Sequence, residues 1–389
     1  MDFGFTEEQR IFRASVRDFL ERERPPGQVR KDDEDERFPI EFFKKMADVG
    51  WMGLNVPEKY GGSSGDAIMM TIMLEELGRV DLALASGFYR VSFYGGFLDQ
   101  MGTEEQKQFF LPKIASGDIM ISFSGTEPES GSDLYSLSSS AVIQDDHFII
   151  NGQKIFNSFC HFADYAMMAS RLSLSPRVNE GISLIMVDLK NTPGIETQPM
   201  RKLGLRAAGV GQIFMQDASV PVKNLVGKLH EGYEPLRETL AIERFYQAAQ
   251  CVGAAQAAID EALEYAKTRR QFGMQISRFQ AISHLLVNMQ TQVDCARLLT
   301  YRAAWMAKEG IPSAKESTMA KLFATEAYMR VAHDALQVMG GYGYMMDSNM
   351  QRHFRDARLF EIAGGTSQIQ RVILTGLMVR ATKDMFSVI

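Results

Sequence analysis

The sequence predicts an α+β chain of three domains, helical, then β, then helical again, and three observations carry that reading. Apolar residues recur at helical spacing through the first third. From Ile119 to about Val226 the period falls from 3.6 to 2, with turn residues between short apolar runs. After Tyr233 proline occurs only at Pro235 and Pro312, and Ala, Leu, Met, Glu and Arg fill long periodic stretches that read as a four-helix bundle. The expected domains are an N-terminal helical one over 1–118, a middle antiparallel β-domain over 119–228 and a C-terminal helical bundle over 229–389.

Thr6-Glu7-Glu8-Gln9 is a capping-box pattern ahead of an amphipathic run to about Arg24, with Ile11, Phe12, Val16 and Leu20 on one face. Glu21 to Glu36 is charged and expected to be irregular. A helix over Ile40 to Val49 precedes the loop Pro57 to Gly65. Met69 to Leu77 reads as a buried helix and Phe88 to Met101 as another. Thr103-Glu104-Glu105-Gln106 repeats the capping box before a helix over Lys107 to Ala115. In the middle third, Ala141 to Ile143, Phe148 to Ile150, Ser183 to Leu189 and Gln212 to Met215 are strands, with Asn151-Gly152 and Pro193-Gly194 as turns.

Composition narrows the function. A net charge of −6 without a Lys/Arg block argues against nucleic acid as a partner. Cys160, Cys251 and Cys295 form no metal-ligand spacing, the six histidines show none either, and the odd, sparse cysteines fit a reducing compartment. No basic segment precedes an apolar stretch at the N-terminus, and no apolar run reaches the roughly 18 residues of a membrane span. A cytoplasmic protein without a membrane segment is expected.

Ile121 to Asp133 is the stretch where chemistry concentrates. A strand-like start breaks into glycine and hydroxyl residues, leaving Ser124, Thr126, Ser130 and Ser132 free to meet a polar planar ligand. Composition alone fits a solvated surface turn equally well. Further motifs follow: Asn151-Gly152-Gln153-Lys154 with Phe156 and Ser158, then Lys202-Leu203-Gly204-Leu205-Arg206. Beyond them come Arg269-Arg270-Gln271-Phe272-Gly273, Gln337-Val338-Met339-Gly340-Gly341, Arg355-Asp356 and Gly365-Thr366-Ser367-Gln368. Over essentially its whole length the chain resembles the flavin-dependent acyl-CoA dehydrogenase family.

That resemblance implies FAD between the β-domain and the C-terminal helices. Phe123, Thr126 and Ser158 would meet the flavin, and Phe156 would lie against the ring where many relatives have Trp. Donors at the pyrimidine edge favour electron uptake and an aromatic wall excludes water. Ser132 resembles the position that contacts the CoA side and is expected to meet both cofactor and substrate. Arg269, Gln271 and Phe272, with Gln337, Gly340 and Gly341, would reach the pyrophosphate of FAD held by a neighbouring subunit, glycine allowing close approach. Thr366 and Gln368 complete the implied cofactor set, a homotetramer is the implied assembly, and an electron-transfer flavoprotein the implied electron acceptor. A solvated basic helix end is the other reading of Arg269-Arg270.

The family oxidises an acyl-CoA between Cα and Cβ, so one carboxylate must face the α-carbon. Most relatives carry it directly before the Gly-Thr of the last motif, where this chain has Gly364. Either the chemistry is lost, or the carboxylate comes from an earlier helix, as in isovaleryl-CoA dehydrogenase-like members. Glu243, in Leu240-Ala241-Ile242-Glu243-Arg244-Phe245, occupies that matching position. A surface Glu or an Arg-paired one is the plain alternative, and Glu361 is the second candidate base. Gly364 keeps its backbone N–H, which in relatives supports the thioester carbonyl, and Arg244 matches a CoA-contacting arginine.

Tyr89 and Arg90 fall where relatives line the deep end of the acyl pocket. A guanidinium there suits a second carboxylate, so a branched, aromatic or dicarboxylic acyl group such as a substituted succinyl-CoA is expected. An ion pair of Arg90 with Asp99 or Glu104 is the other reading. Three further readings stay open: an enoyl-CoA reductase of the crotonobetainyl-CoA type, an acyl-CoA oxidase, and a catalytically silent flavin-binding scaffold.

Overall fold

Thr6 opens the first helix as its capping box requires: its hydroxyl accepts from the Gln9 N–H, and the Gln9 side chain accepts from the Thr6 N–H. The structure, a computed structural model, describes residues 4–172 and 181–386, with side chains through residue 379. Met1-Asp2-Phe3 of the N-terminal stretch read above lie outside them. Six helices form the first domain: α1 (Glu7–Glu23), α2 (Pro26–Glu34), α3 (Ile40–Asp48), α4 (Ala67–Val80), α5 (Leu82–Met101) and α6 (Glu104–Ala115).

Two of these differ from expectation. Helix α2 occupies a stretch expected to be irregular, because tertiary ion pairs decide it: Asp32 meets Arg24 at 2.6 Å and Asp33 meets Arg355 at 2.5 Å. Helix α5 begins six residues before Phe88 because Asp81 caps it, accepting from the Ala83 and Leu84 N–H groups at 2.9 and 3.2 Å.

The middle domain is a sheet of β1 (Ile121–Ser124), β2 (Ser140–Gln144), β3 (His147–Ser158), β4 (Tyr165–Arg171), β5 (Ile182–Asp188), β6 (Ile195–Pro199), β7 (Val210–Pro221) and β8 (Leu225–Val226). Its order is β6-β7-β3-β2-β4-β5-β8, with β1 added against β4. Most pairs are antiparallel as expected, but β1 and β2 both run parallel to β4, and the crossover from β1 to β4 is long enough to hold a loop and the β2–β3 hairpin. Asn151-Gly152 is not a turn. It lies inside β3 at a register shift, where a Cβ on Gly152 would come within 2.6 Å of the Ser139 Oγ, so the glycine serves a close approach. The β2–β3 turn falls instead at Asp145, with φ 51°.

The last domain holds α7 (Tyr233–Thr268), the hairpin β9 (Arg270–Gln271) and β10 (Met274–Gln275), α8 (Gln280–Lys308), α9 (Ala314–Met339), α10 (Gly341–Tyr344), α11 (Asn349–Phe360) and α12 (Ser367–Phe386). Helices α7, α8 and α9 pack on one another, with α11 and α12 on α9. Helix α4 of the first domain joins them. It touches α7 backbone to backbone: a Cβ at Gly253 would stand 1.9 Å from the Glu75 carbonyl oxygen, and one at Gly78 would stand 2.4 Å from that of Gln250. No helix among the described residues is long and apolar enough to cross a membrane.

Candidate active site

Glu243 sits on α7, 7 % exposed, with no ion pair among the described residues. It is neither a surface Glu nor an Arg-paired one. Its Oε1 accepts a hydrogen bond from Gln247 Nε2 at 3.0 Å, one helical turn along. The Gln247 amide in turn lies against Gly364, where a Cβ would be 2.1 Å from Nε2. Gly364 has φ 64°, and its N–H has no hydrogen-bond partner among the described residues. The loop carrying it is fixed from below. Gln370 Nε2 donates to the carbonyls of Gly364 and Gly365 at 3.1 and 3.0 Å, and Lys321 Nζ donates to those of Phe360 and Gly365, both at 2.8 Å. Burial lowers the Lys321 ammonium to about 8. Glu361, the second candidate base, is engaged in an ion pair with Arg358.

Helix α5 supplies the wall opposite. Burial, with the negative Glu243 close by, pushes the Tyr89 phenol well above its ordinary value. The Arg90 guanidinium stands 5.8 Å from the centre of the Tyr89 ring and interacts electrostatically with Tyr94, Tyr89 and Glu243. No carboxylate pairs with it among the described residues, and Glu104 is held instead by the Tyr60 hydroxyl at 2.9 Å and by Lys59 at 4.0 Å. One turn on, Tyr94 stacks with Phe123 of β1 at 5.8 Å and 15°. The Tyr89 hydroxyl, Arg244 Nε and Gln247 Oε1 are buried without a partner, a concentration of unmet polar atoms that points to a polar ligand.

The glycine-and-hydroxyl loop leaves β1 after Ser124, and a buried ion pair fixes it. Glu127 accepts from Lys154 Nζ at 2.7 Å and from the N–H groups of Ser138 and Ser139 at 2.6 and 2.9 Å. Burial would raise the Glu127 carboxyl, but the Lys154 ammonium and these donors outweigh it and hold it at about 2. The Thr126 carbonyl accepts from the Ile155 N–H at 2.9 Å, which sets Thr126 beside Phe156 and, two residues on, Ser158. Phe156 has φ 58° and is 62 % exposed, its ring open to a flat partner. Ser132 is exposed on the same loop.

A second cluster lies at the far end of α7. Arg269, Gln271, Gly340 and Gly341 line an open cavity of about 620 Å³ together with Tyr265 and Tyr342, two residues the motifs did not single out. The Arg269 guanidinium is 5.6 Å from the centre of the Tyr342 ring. Gly340 adopts φ 59° and ψ −138°, open only to glycine, and a Cβ there would meet nothing within 4 Å. Gln337 and Phe272 are not among the lining residues; Phe272 projects from the β9–β10 hairpin, 91 % exposed. Thr366 caps α12, its Oγ1 accepting from the Ile369 N–H at 3.2 Å, and Gln368 is exposed while Gln370 holds the loop.

Each cluster fits part of a dinucleotide flavin: an open aromatic face beside hydroxyl groups at one, and a glycine cradle with a guanidinium at the other. Fold and site together define a flavin-dependent oxidoreductase with a buried carboxylate poised beside a free backbone N–H. Family models for the acyl-CoA dehydrogenase N-terminal, middle and C-terminal domains match residues 6–118, 122–218 and 230–377. The chain belongs to the acyl-CoA dehydrogenase family, and its cofactor is FAD. It is 39 % identical to the probable acyl-CoA dehydrogenase YngJ of Bacillus subtilis, over 96 % of this chain and 98 % of that one. It is 36 % identical to the caffeyl-CoA reductase-Etf complex subunit CarC of Acetobacterium woodii, over 97 % and 99 %. The glutaryl-coenzyme A dehydrogenase in complex with glutaryl-CoA superposes with a TM-score of 0.92 at 31 % identity, covering 96 % of each chain.

Proposed function

We propose that the chain dehydrogenates an acyl-CoA thioester between Cα and Cβ, with Glu243 as the base. The observation that carries this is the Gln247 side chain, which touches both the buried Glu243 carboxylate and the Gly364 backbone. A proton acceptor and an unpaired N–H thereby share one site. The Glu243 carboxylate takes the α-proton, and the Gly364 N–H donates to the thioester carbonyl oxygen where negative charge grows, a role worth about 3 kcal/mol in comparable sites. Bound FAD supplies the acceptor for the β-hydrogen and its electron pair. The buried ring of Tyr89 and the stacked Tyr94 and Phe123 exclude water from the reacting carbons. Arg244, half-buried and with its Nε atom buried and unmatched among the described residues, would meet the CoA portion.

The test is anaerobic bleaching of the bound flavin with a panel of acyl-CoA thioesters. The wild type is expected to bleach with at least one thioester, and Glu243→Gln to slow that step by about 10³-fold or more. Full bleaching in the variant discards Glu243, and no bleaching with any thioester favours a silent scaffold.

Arg90 defines the substrate class in this reading. A half-buried guanidinium with no carboxylate partner among the described residues, beside the acyl site, suits a second carboxylate or another polar group on the acyl chain. The structural likeness to a glutaryl-CoA-binding dehydrogenase is in keeping with it. Arg90→Met is expected to cost a carboxylated acyl-CoA roughly 100-fold in kcat/KM and a plain acyl-CoA of similar length less than about threefold. Equal losses on both remove the idea.

Reduction of an enoyl-CoA is the second reading, and the likeness to a caffeyl-CoA reductase subunit favours it. The same relative's name supports an electron-transfer flavoprotein as electron partner. The homotetramer that the family resemblance implies is proposed as the assembly, and the length of α7 supports a cofactor shared between copies. About 26 helical residues separate Glu243 from Arg269, roughly 40 Å at about 1.5 Å each. One dinucleotide does not span both, so each cavity at the end of α7 would serve the cofactor of a neighbouring copy.

A further inference from the structure

We propose that Gln247 is the positioning residue for the base, holding the Glu243 carboxylate in line and filling the space that a side chain at position 364 would need. The inference rests on the reading of Glu243 given above. Glu243 is buried without a cation at hydrogen-bonding distance among the described residues, so no ion pair among them fixes its rotamer. Gln247 does so from the same helix face, its Nε2–H donating to Oε1 at 3.0 Å, with the Tyr89 phenol also close to the carboxylate. The orientation of the amide is dictated by its neighbour. Turned the other way, its oxygen would face the carboxylate oxygen, two acceptors against each other. In the orientation adopted, Gln247 Oε1 is buried and has no partner, a cost accepted for aiming the donor at Glu243.

The contact with Gly364 makes the arrangement exclusive. A Cβ there would stand 2.1 Å from Nε2 and 2.6 Å from Oε1, so any side chain at 364 displaces the amide. A carboxylate at 364 would require the Gln247 amide to leave its present position. The glycine is thus the partner of the relocated base, as the amide takes the volume the missing side chain leaves.

Gln247→Met keeps the volume and removes the donor. In the FAD-loaded enzyme its kcat is expected to fall about tenfold or more while KM changes less than about twofold, and exchange of the substrate α-hydrogen with deuterated solvent should slow by the same factor. Flavin content and melting temperature should match the wild type. Wild-type kcat and exchange in Gln247→Met overturn the positioning role. The steric half is read by melting temperature: Gly364→Ala should lower it, and adding Gln247→Ala should restore part of the loss, whereas strictly additive losses overturn the contact. Glu243→Gln separates the two levels. If it retains α-hydrogen exchange, the base reading itself fails; if it abolishes exchange while Gln247→Met exchanges normally, only the positioning inference fails.

Discussion

Asp356 and His353 stand on successive turns of α11, both buried, and they pull stability in opposite directions with pH. Burial, with the nearby Arg352 charge, lowers the His353 imidazole from 6.5 to about 3. Its contribution is complete above pH 6.5 and lost as pH falls toward 3, since the unfolded chain takes up a proton that the fold refuses. Burial raises the Asp356 carboxyl from 3.8 to about 6, Arg352 opposing and Asp33 adding to it. Between pH 3.8 and 6 the fold therefore holds a proton that the unfolded chain has released, and stability falls as pH rises. The two slopes cancel over that window. Asp356→Asn keeps an oxygen to accept the Leu205 N–H but removes one slope. Its melting temperature should then drop more steeply than the wild type between pH 6 and 4, by the equivalent of about 1.4 kcal/mol per pH unit. Parallel curves from thermal unfolding at each pH would refute the assignment.

What the sequence disclosed about the elements depended on how local the deciding contact is. Both capping boxes were legible because donor and acceptor lie three residues apart, and both form as written. Helix α2 was not legible, since its buried Asp32 and Asp33 look like solvent residues until Arg24 and Arg355 arrive from elsewhere. Asn151-Gly152 misled for a related reason. The pair has turn chemistry, and only the neighbouring Ser139 shows that the glycine answers to crowding inside a strand. In the proposed site, Glu243, Gly364 and Thr126 were reachable from motifs and Arg90 from the family resemblance. Gln247 and Lys321 were not, because an ordinary helical Gln or Lys signals nothing until the loop it touches is folded over it. The spacing of Gln247 four residues after Glu243 was the one available hint. Glu127 and Lys154 stood within quoted motifs, but their pairing emerges only when β3 passes the loop.

For the whole molecule, the two clusters on α7 make retention of FAD a property of the proposed assembly as well as of one chain. Arg269→Ala should lower flavin content measured after gel filtration at low protein concentration, by about tenfold in apparent affinity for a lost charge-assisted contact. The fraction still carrying flavin should bleach at the wild-type rate, because Glu243 is far away. Slowed bleaching with full flavin content would place Arg269 at the chemistry and refute the split-site geometry. The single helix carrying both clusters has one more consequence. It works as an indexing rod: each residue added or removed between 243 and 269 turns one end against the other by about 100° and shifts it by about 1.5 Å. A lone insertion there would aim the carboxylate and the cavity at different quadrants, so the length of this segment is constrained even where its individual side chains are interchangeable.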